Sequence, residues 1–185
     1  MPLEHAILAF LDMHPQTGYD LKKAFDSSVR HFWSATQSHI YKALENLEKK
    51  EFVAAQMILQ EGKPNRKEYH ITQAGRAELQ GWLSQPLPLE PVREAWMIQL
   101  FFAQSLANDE IVQLMEKRKE QISAVIASLG EAQAAIEEQK QPGIPHIERM
   151  AGLWQMTLDY GIEYYQFELA WLEKAQQQAK HLSTK

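Results

Sequence analysis

The sequence predicts a mainly α-helical protein in two units, and three observations carry that expectation. Apolar residues recur at helical spacing through most of the 185 residues. One stretch departs from it, where "FVAAQMIL" and "KEYHI" favour β-structure on either side of a glycine- and proline-bearing tip. Finally, "SQPLPLEPV" places Pro86, Pro88 and Pro91 between the helical regions, where they disfavour helix and leave an extended connector. The expected units are residues 1–85 and 86–185.

A composition that is 45% hydrophobic supplies enough apolar material for a packed core. No stretch approaches the roughly 20 uncharged apolar residues of a membrane span. The start "MPLEHAILAFLDMH" carries acidic groups where a signal peptide needs basic ones, so a soluble, cytoplasmic protein is expected. The absence of cysteine excludes disulfides and thiolate chemistry. Net charge is −5. Residues 1–85 hold ten basic and ten acidic side chains, and residues 86–185 hold nine and fourteen, so the whole excess of acid is C-terminal.

In the first unit, Leu3, Ile7, Leu8, Phe10 and Leu11 share one helical stripe, closed by "HPQTG". Thr17 with Asp20 three residues on forms a capping-box pattern for a second helix, to which Tyr19, Leu21, Ala24 and Phe25 offer apolar contacts. Ser34 with Gln37 repeats the signature and predicts a third helix from about Ala35, burying Ile40, Ala43, Leu44 and Leu47. Ser38, Lys42, Glu45 and Lys49 then face solvent. The two short strands follow, joined through Gly62, Pro64 and Asn65, with Tyr69 and Ile71 in alternation. Thr72 caps a fourth helix whose Leu79, Trp82 and Leu83 turn inward.

Three helices, a hairpin and a closing helix is the order of a winged helix-turn-helix. That architecture sets its third helix in the DNA major groove and its hairpin along the backbone or minor groove. Lys63, Arg66 and Lys67 of the hairpin then sit where neutralising phosphates releases counterions. The candidate DNA-binding face of the third helix starts at Ser34. Gln37 has the paired donor and acceptor that read adenine, Ser38 and Tyr41 suit phosphate or base edges, and Lys42 suits guanine or phosphate. His39 lies on the flank, equally placed for packing or DNA contact. Tyr19 either donates to a phosphate beside its helix N-terminus or covers the core.

"GYDL", "HIYKALENLEKKEFV", "GKPNRKEYHITQAGR" and "REAWMIQLFFAQ" together resemble the PadR-type transcriptional regulators over the whole chain. The long C-terminal half is similar to the helical dimerisation domain of the group that includes the virulence-activator type. The resemblance implies a DNA-binding regulator. Family members usually carry proline in place of Lys42 and glycine in place of Glu51.

In the second unit, "REAWMIQLFFAQSL" is apolar nearly all round and is expected to be buried on more than one side. Asn108 and Asp109 offer a cap for a helix to about Gln141. There Met115, Ile122, Leu129 and Ile136 recur every seven residues, interleaved with Ile111, Arg118, Val125 and Ala132. After "QPGIPH", Met150, Trp154, Leu158, Ile162, Tyr165, Leu169 and Leu172 step through a second long helix. The pair suits antiparallel packing. Its apolar faces, from Met115, Ile122, Leu129 and Ile136 to Trp154, Leu158, Ile162, Tyr165 and Leu169, are assigned to a homodimer, because helix-turn-helix proteins usually read two half-sites.

Trp96, Phe101, Phe102 and Trp154 would either line a pocket for a flat aromatic effector, as the resemblance to phenolic-acid-sensing and drug-sensing relatives implies, or form core and dimer packing. The seven histidines show no metal-ligand spacing, and no catalytic or phosphate-cradling motif is present. Neither enzyme, metal nor cofactor is expected. The expectation is therefore a homodimeric repressor of promoter DNA, with a protein-interaction module on a winged scaffold as the alternative.

Overall fold

The structure is a computed structural model that describes residues 2–59, 65–139 and 147–183, without the side chains of His31 and of residues 135–139. It divides into two compact units, Met1–Leu89 and Glu90–Lys185, the division falling inside the proline-bearing connector.

Unit 1 runs α1 (Pro2–Met13), β1 (Gln16–Thr17), α2 (Gly18–Ser27), α3 (Gln37–Lys49), β2 (Val53–Ile58), β3 (Arg66–Ile71) and α4 (Gln73–Leu83). Ile7, Leu8 and Leu11 of α1, Leu21 and Phe25 of α2, and Ile40, Ala43, Leu44 and Leu47 of α3 form one buried cluster with Val53, Tyr69, Ile71 and Leu79. Each large side chain so buried contributes about 1.5–3 kcal/mol. Helix α2 starts as its capping box requires: Thr17 Oγ1 accepts from the Asp20 amide at 3.1 Å, and Asp20 Oδ2 accepts from the Thr17 amide at 3.4 Å. Tyr19, expected among the apolar contacts, is exposed instead. Two residues from Leu21 places it about 200° around the helix, on the far side from the core.

The α3 cap is Thr36, not Ser34. Thr36 Oγ1 accepts from the His39 amide at 3.3 Å, and the helix begins at Gln37. Either start preserves the Ile40–Leu47 stripe, so periodicity could not separate caps two residues apart. At the other end, the Phe52 amide donates to Leu47 O at 2.9 Å and the Glu51 amide to Glu48 O at 3.0 Å. This is a Schellman closure, and it holds Glu51 at φ 58°, the left-handed region that favours glycine. Glu51→Gly is accordingly expected to stabilise the unit by about 1 kcal/mol, measured as a raised urea midpoint at unchanged slope.

Strands β2 and β3 pair antiparallel from Val53↔Ile71 to Ile58↔Arg66. Strand β1 adds to the far edge of β3 through Gln16↔Tyr69 and Thr17↔Glu68, giving the order β1-β3-β2. Two residues are too few to show alternation, so β1 left no signal in the sequence. Thr72 Oγ1 accepts from the Gly75 amide at 3.0 Å and caps α4. Leu79 is buried and Trp82 stacks flat on His5, with ring centroids 4.6 Å apart. Leu83, expected to face inward, is exposed where the last residue of α4 runs beyond the core.

Unit 2 runs α5 (Ala95–Phe101), α6 (Asn108–Gln139) and α7 (Ile147–Ala179). Helices α6 and α7 lie antiparallel: Asn108 bonds Leu182 O, Gln176 bonds Val112 O and Glu116, and Arg118 bonds Glu168. Asn108 and Asp109 do not cap α6. Glu110 Oε2 instead accepts from the Ala107 amide at 2.8 Å, three residues before it, while the Asn108 amide group is taken by Leu182 O. Helix α5 is not buried on several sides within the chain. Trp96 and Leu100 pack on the α6–α7 pair, and Met97, Ile98, Phe101 and Phe102 are exposed.

Candidate nucleic-acid interface

Because α3 buries only its Ile40–Leu47 stripe, its other face is free, and it carries Gln37, Ser38, His39, Lys42, Glu45 and Lys49, all exposed. Helix geometry stacks Ser38, Lys42, Glu45 and Lys49 along one line, with Gln37, Tyr41 and Glu48 along a neighbouring one. Thr36 leaves the α3 N-terminus without an acidic residue in its first turn, so the positive end of the helix is uncompensated there. Ser34 precedes the helix and is exposed, as is Tyr19 at the start of α2, where Lys23 Nζ stands 5.9 Å from its ring centroid. Lys42 makes no ion pair with any described residue.

The Tyr41 ring lies against the first residue of α2: a Cβ placed on Gly18 would stand 2.7 Å from Tyr41 Cε1, so a side chain there would push the ring aside.

The expected wing cations part company. Lys63 lies outside the described residues. Arg66 and Lys67 are successive residues of β3 and therefore project from opposite faces of the sheet. Arg66 shares its face with Glu68, at a loose 4.0 Å. Lys67 lies on the face that packs toward α3, with Nζ 2.8 Å from Glu48 Oε2 and 5.1 Å from the Tyr69 ring centroid. The hydrogen bond to Glu48 raises the Lys67 pKa, overriding partial burial, and burial raises that of Tyr69. Glu48 was not singled out in the sequence. Nothing local marks it, because its partner lies 19 residues away on another element.

The aromatic residues assigned to an effector pocket do not converge. Trp96 packs edge-on to Trp171 at 5.7 Å, beneath the Arg118 guanidinium at 5.2 Å. Phe101 and Phe102 meet each other at 5.0 Å and line an open apolar depression with Val92, Met97 and Ile98. Trp154 lies 17 residues before Trp171 on α7, about 25 Å along the helix. What does converge in unit 2 is polar. Arg118 bonds Glu168 through Nε at 2.7 Å and Nη2 at 3.3 Å and approaches Glu94 at 3.6 Å, and the Tyr164 hydroxyl donates to Glu94 Oε1 at 3.0 Å. Burial and that hydrogen bond push Tyr164 up to about 12.

The seam assigned to the dimer is largely filled within the chain. Met115, Ile122, Leu129 and Leu158 are buried in the protomer, and Trp154, Ile162, Tyr165 and Leu169 are half-buried; the Ile136 side chain lies outside the described residues. Among the described residues no helix is long and apolar enough to cross a membrane, and no group of three or more His, Asp or Glu could hold a metal ion.

A capped helix with a free polar face, followed by a β-hairpin and a closing helix, defines the class of winged-helix regulators. Residues 7–81 match the Transcriptional regulator PadR-like family and residues 92–180 the Virulence activator alpha C-term family. The negative transcriptional regulator PadR of Bacillus subtilis is 33% identical over 138 residues, 74% of each chain. The chain belongs to the PadR-like family of transcriptional regulators. A Mycobacterium tuberculosis protein named a probable transcriptional regulator is 44% identical over 94 residues, and the chain spans about half the length of that relative, 50%. Crystal structures of Bacillus subtilis PadR share the architecture. The complex with operator DNA gives a TM-score of 0.79 at 27% identity, and the complex with p-coumaric acid 0.75 at 25%, each covering 97% of this chain and 99% of that one.

Proposed function

We propose that the protein is a cytoplasmic, sequence-specific repressor of double-stranded promoter DNA. It acts as a homodimer that sets one α3 in the major groove of each of two half-sites. The observation that carries the reading is the free polar face of α3, with Gln37, Ser38, Tyr41 and Lys42 exposed on a helix whose opposite face is locked into the core. Ser34, His39 and Tyr19 flank that face, and of the wing cations Lys63 and Arg66 meet the phosphate backbone, while Lys67 is paired with Glu48. Residues 1–85 form the DNA-binding domain and residues 86–185 the dimerisation and regulatory domain. The operator-DNA complex of Bacillus subtilis PadR supports the DNA-binding assignment, and the match of residues 92–180 to the Virulence activator alpha C-term family supports a separate C-terminal unit. Repression follows from occupancy, since a dimer seated on a promoter obstructs polymerase.

Because the α6–α7 seam is satisfied within one chain, the second copy falls to what that packing leaves uncovered. Ile98 and Phe101 on α5 and Leu153, Met156, Tyr160 and Phe167 on α7 are exposed apolar side chains on elements of one unit. A small aromatic effector acts through this unit by shifting the spacing of the two α3 helices. The p-coumaric acid complex of Bacillus subtilis PadR and the open depression at Phe101 and Phe102 support that role.

The experiment is selection of the purified protein against random double-stranded DNA at near-physiological salt. An enriched palindrome is the expected result, and DNA held only at low salt with no enriched sequence would overturn the reading. On the selected site, Gln37→Ala is expected to cost about 1–3 kcal/mol at particular base pairs and relax preference there. Arg66→Ala is expected to weaken binding to all sequences alike and flatten the salt slope by about 0.9. Identical profiles for the two variants would contradict the assigned roles.

A further inference from the structure

Of the wing cations, Lys67 is already engaged. Its ammonium hydrogen-bonds Glu48 Oε2 at 2.8 Å, and Glu48 belongs to α3, on the same line as Gln37 and Tyr41. The two side chains are 43% and 39% exposed. An ion pair this accessible contributes little to stability. Strand β3 is in any case held by ladders to β2 and β1 on both sides, so the wing does not need the pair as a brace. What the pair changes is the charge available where α3 meets the wing. A carboxylate bonded to a lysine satisfies the ammonium as a phosphate would, so Lys67 neutralises no phosphate and the cation condensed on the DNA there stays in place.

We propose that Glu48 is an affinity-setting residue of the DNA interface, an internal competitor that holds Lys67 away from the phosphate backbone. The inference rests on the DNA-binding reading above. Its consequence is one fewer effective phosphate contact than the cations of the wing suggest. A phosphate contact grips every sequence equally, whereas base contacts by α3 discriminate. Silencing one such contact lowers binding to operator and non-operator DNA alike, so it sets overall affinity and leaves the discrimination to α3.

The test uses the full-length protein, a duplex of random sequence and the selected site, titrated between about 50 and 200 mM salt. Glu48→Gln keeps an acceptor for Lys67 but removes the competing charge. It is expected to tighten binding several-fold to both duplexes and to steepen the log–log salt slope by about 0.9, one phosphate's worth. Lys67→Ala alone is expected to leave the slope nearly unchanged, and Lys67→Ala added to Glu48→Gln to return it to the wild-type value. An unchanged slope in Glu48→Gln overturns the inference, as does weaker binding at unaltered thermal stability, which a carboxylate that positions Lys67 for DNA would give. Arg66→Ala separates the two failures. If it weakens DNA binding while Glu48→Gln leaves the slope alone, only this inference falls; if wild-type protein holds no duplex even at low salt, both fall together.

Discussion

Gly75→Ala is expected to destabilise unit 1 by about 3 kcal/mol or more and to abolish DNA binding with it. A Cβ at Gly75 would stand 2.1 Å from the backbone oxygen of Phe52, 2.9 Å from Ile71 Cγ1 and 3.0 Å from Phe52 C. No rotamer change relieves a clash with a main-chain carbonyl, and this carbonyl cannot withdraw freely. It accepts from the Thr72 amide at 3.0 Å and from Thr72 Oγ1 at 3.1 Å, while the Phe52 amide closes the end of α3 on Leu47 O. Gly75 is thus the point where the first turn of α4 presses on the junction between α3 and β2. Gly81, on the same helix, meets nothing within 4 Å of its would-be Cβ. There the same substitution is expected to stabilise by about 0.5–1 kcal/mol, as replacing an exposed helical glycine by alanine does. Urea unfolding of both variants reads opposite signs from one chemical change. Equal, small effects would mean that α4 can slide off Phe52 at little cost.

The same junction shows which parts of the fold were legible. The Thr72 and Thr17 caps were readable because a helix start is written locally, in one hydroxyl and the residue three positions on. The buried stripe of α3 was equally plain, since 3.6-residue periodicity needs no knowledge of the partner. The α3 cap was misplaced because Ser34 and Thr36 both carry a suitable hydroxyl and the stripe tolerates either. Contacts between elements distant in sequence left no trace at all. Nothing around Gly18 announces Tyr41, and nothing around Lys67 announces Glu48. The heptads of α6 show the same limit from the other side. A 3.5-residue repeat states that a helix will lie along the seam, but not whether that helix comes from the same chain or from a second copy, and here α7 occupies it. The glycine that the family resemblance leads one to expect at position 51 has a backbone cause visible only in the fold, the left-handed residue of the Schellman closure, which Glu51 occupies.

Arg118 was the one break in that heptad pattern, and its replacement is expected to produce the second large effect. Its Nε and Nη2 both bond Glu168, whose side chain is only 8% exposed, and its guanidinium covers Trp96. Arg118→Ala strands a carboxylate inside the α6–α7 packing, where losing one partner of a buried pair costs about 3–5 kcal/mol. Amide hydrogen exchange along α6 and α7 measures this directly, and faster exchange confined to unit 2 is the expected pattern. Replacing both partners by apolar residues of similar volume, Arg118→Met with Glu168→Leu, removes the stranded charge and is expected to recover most of the loss. A loss under about 1 kcal/mol would show that water reaches Glu168 and that the pair behaves as a surface contact.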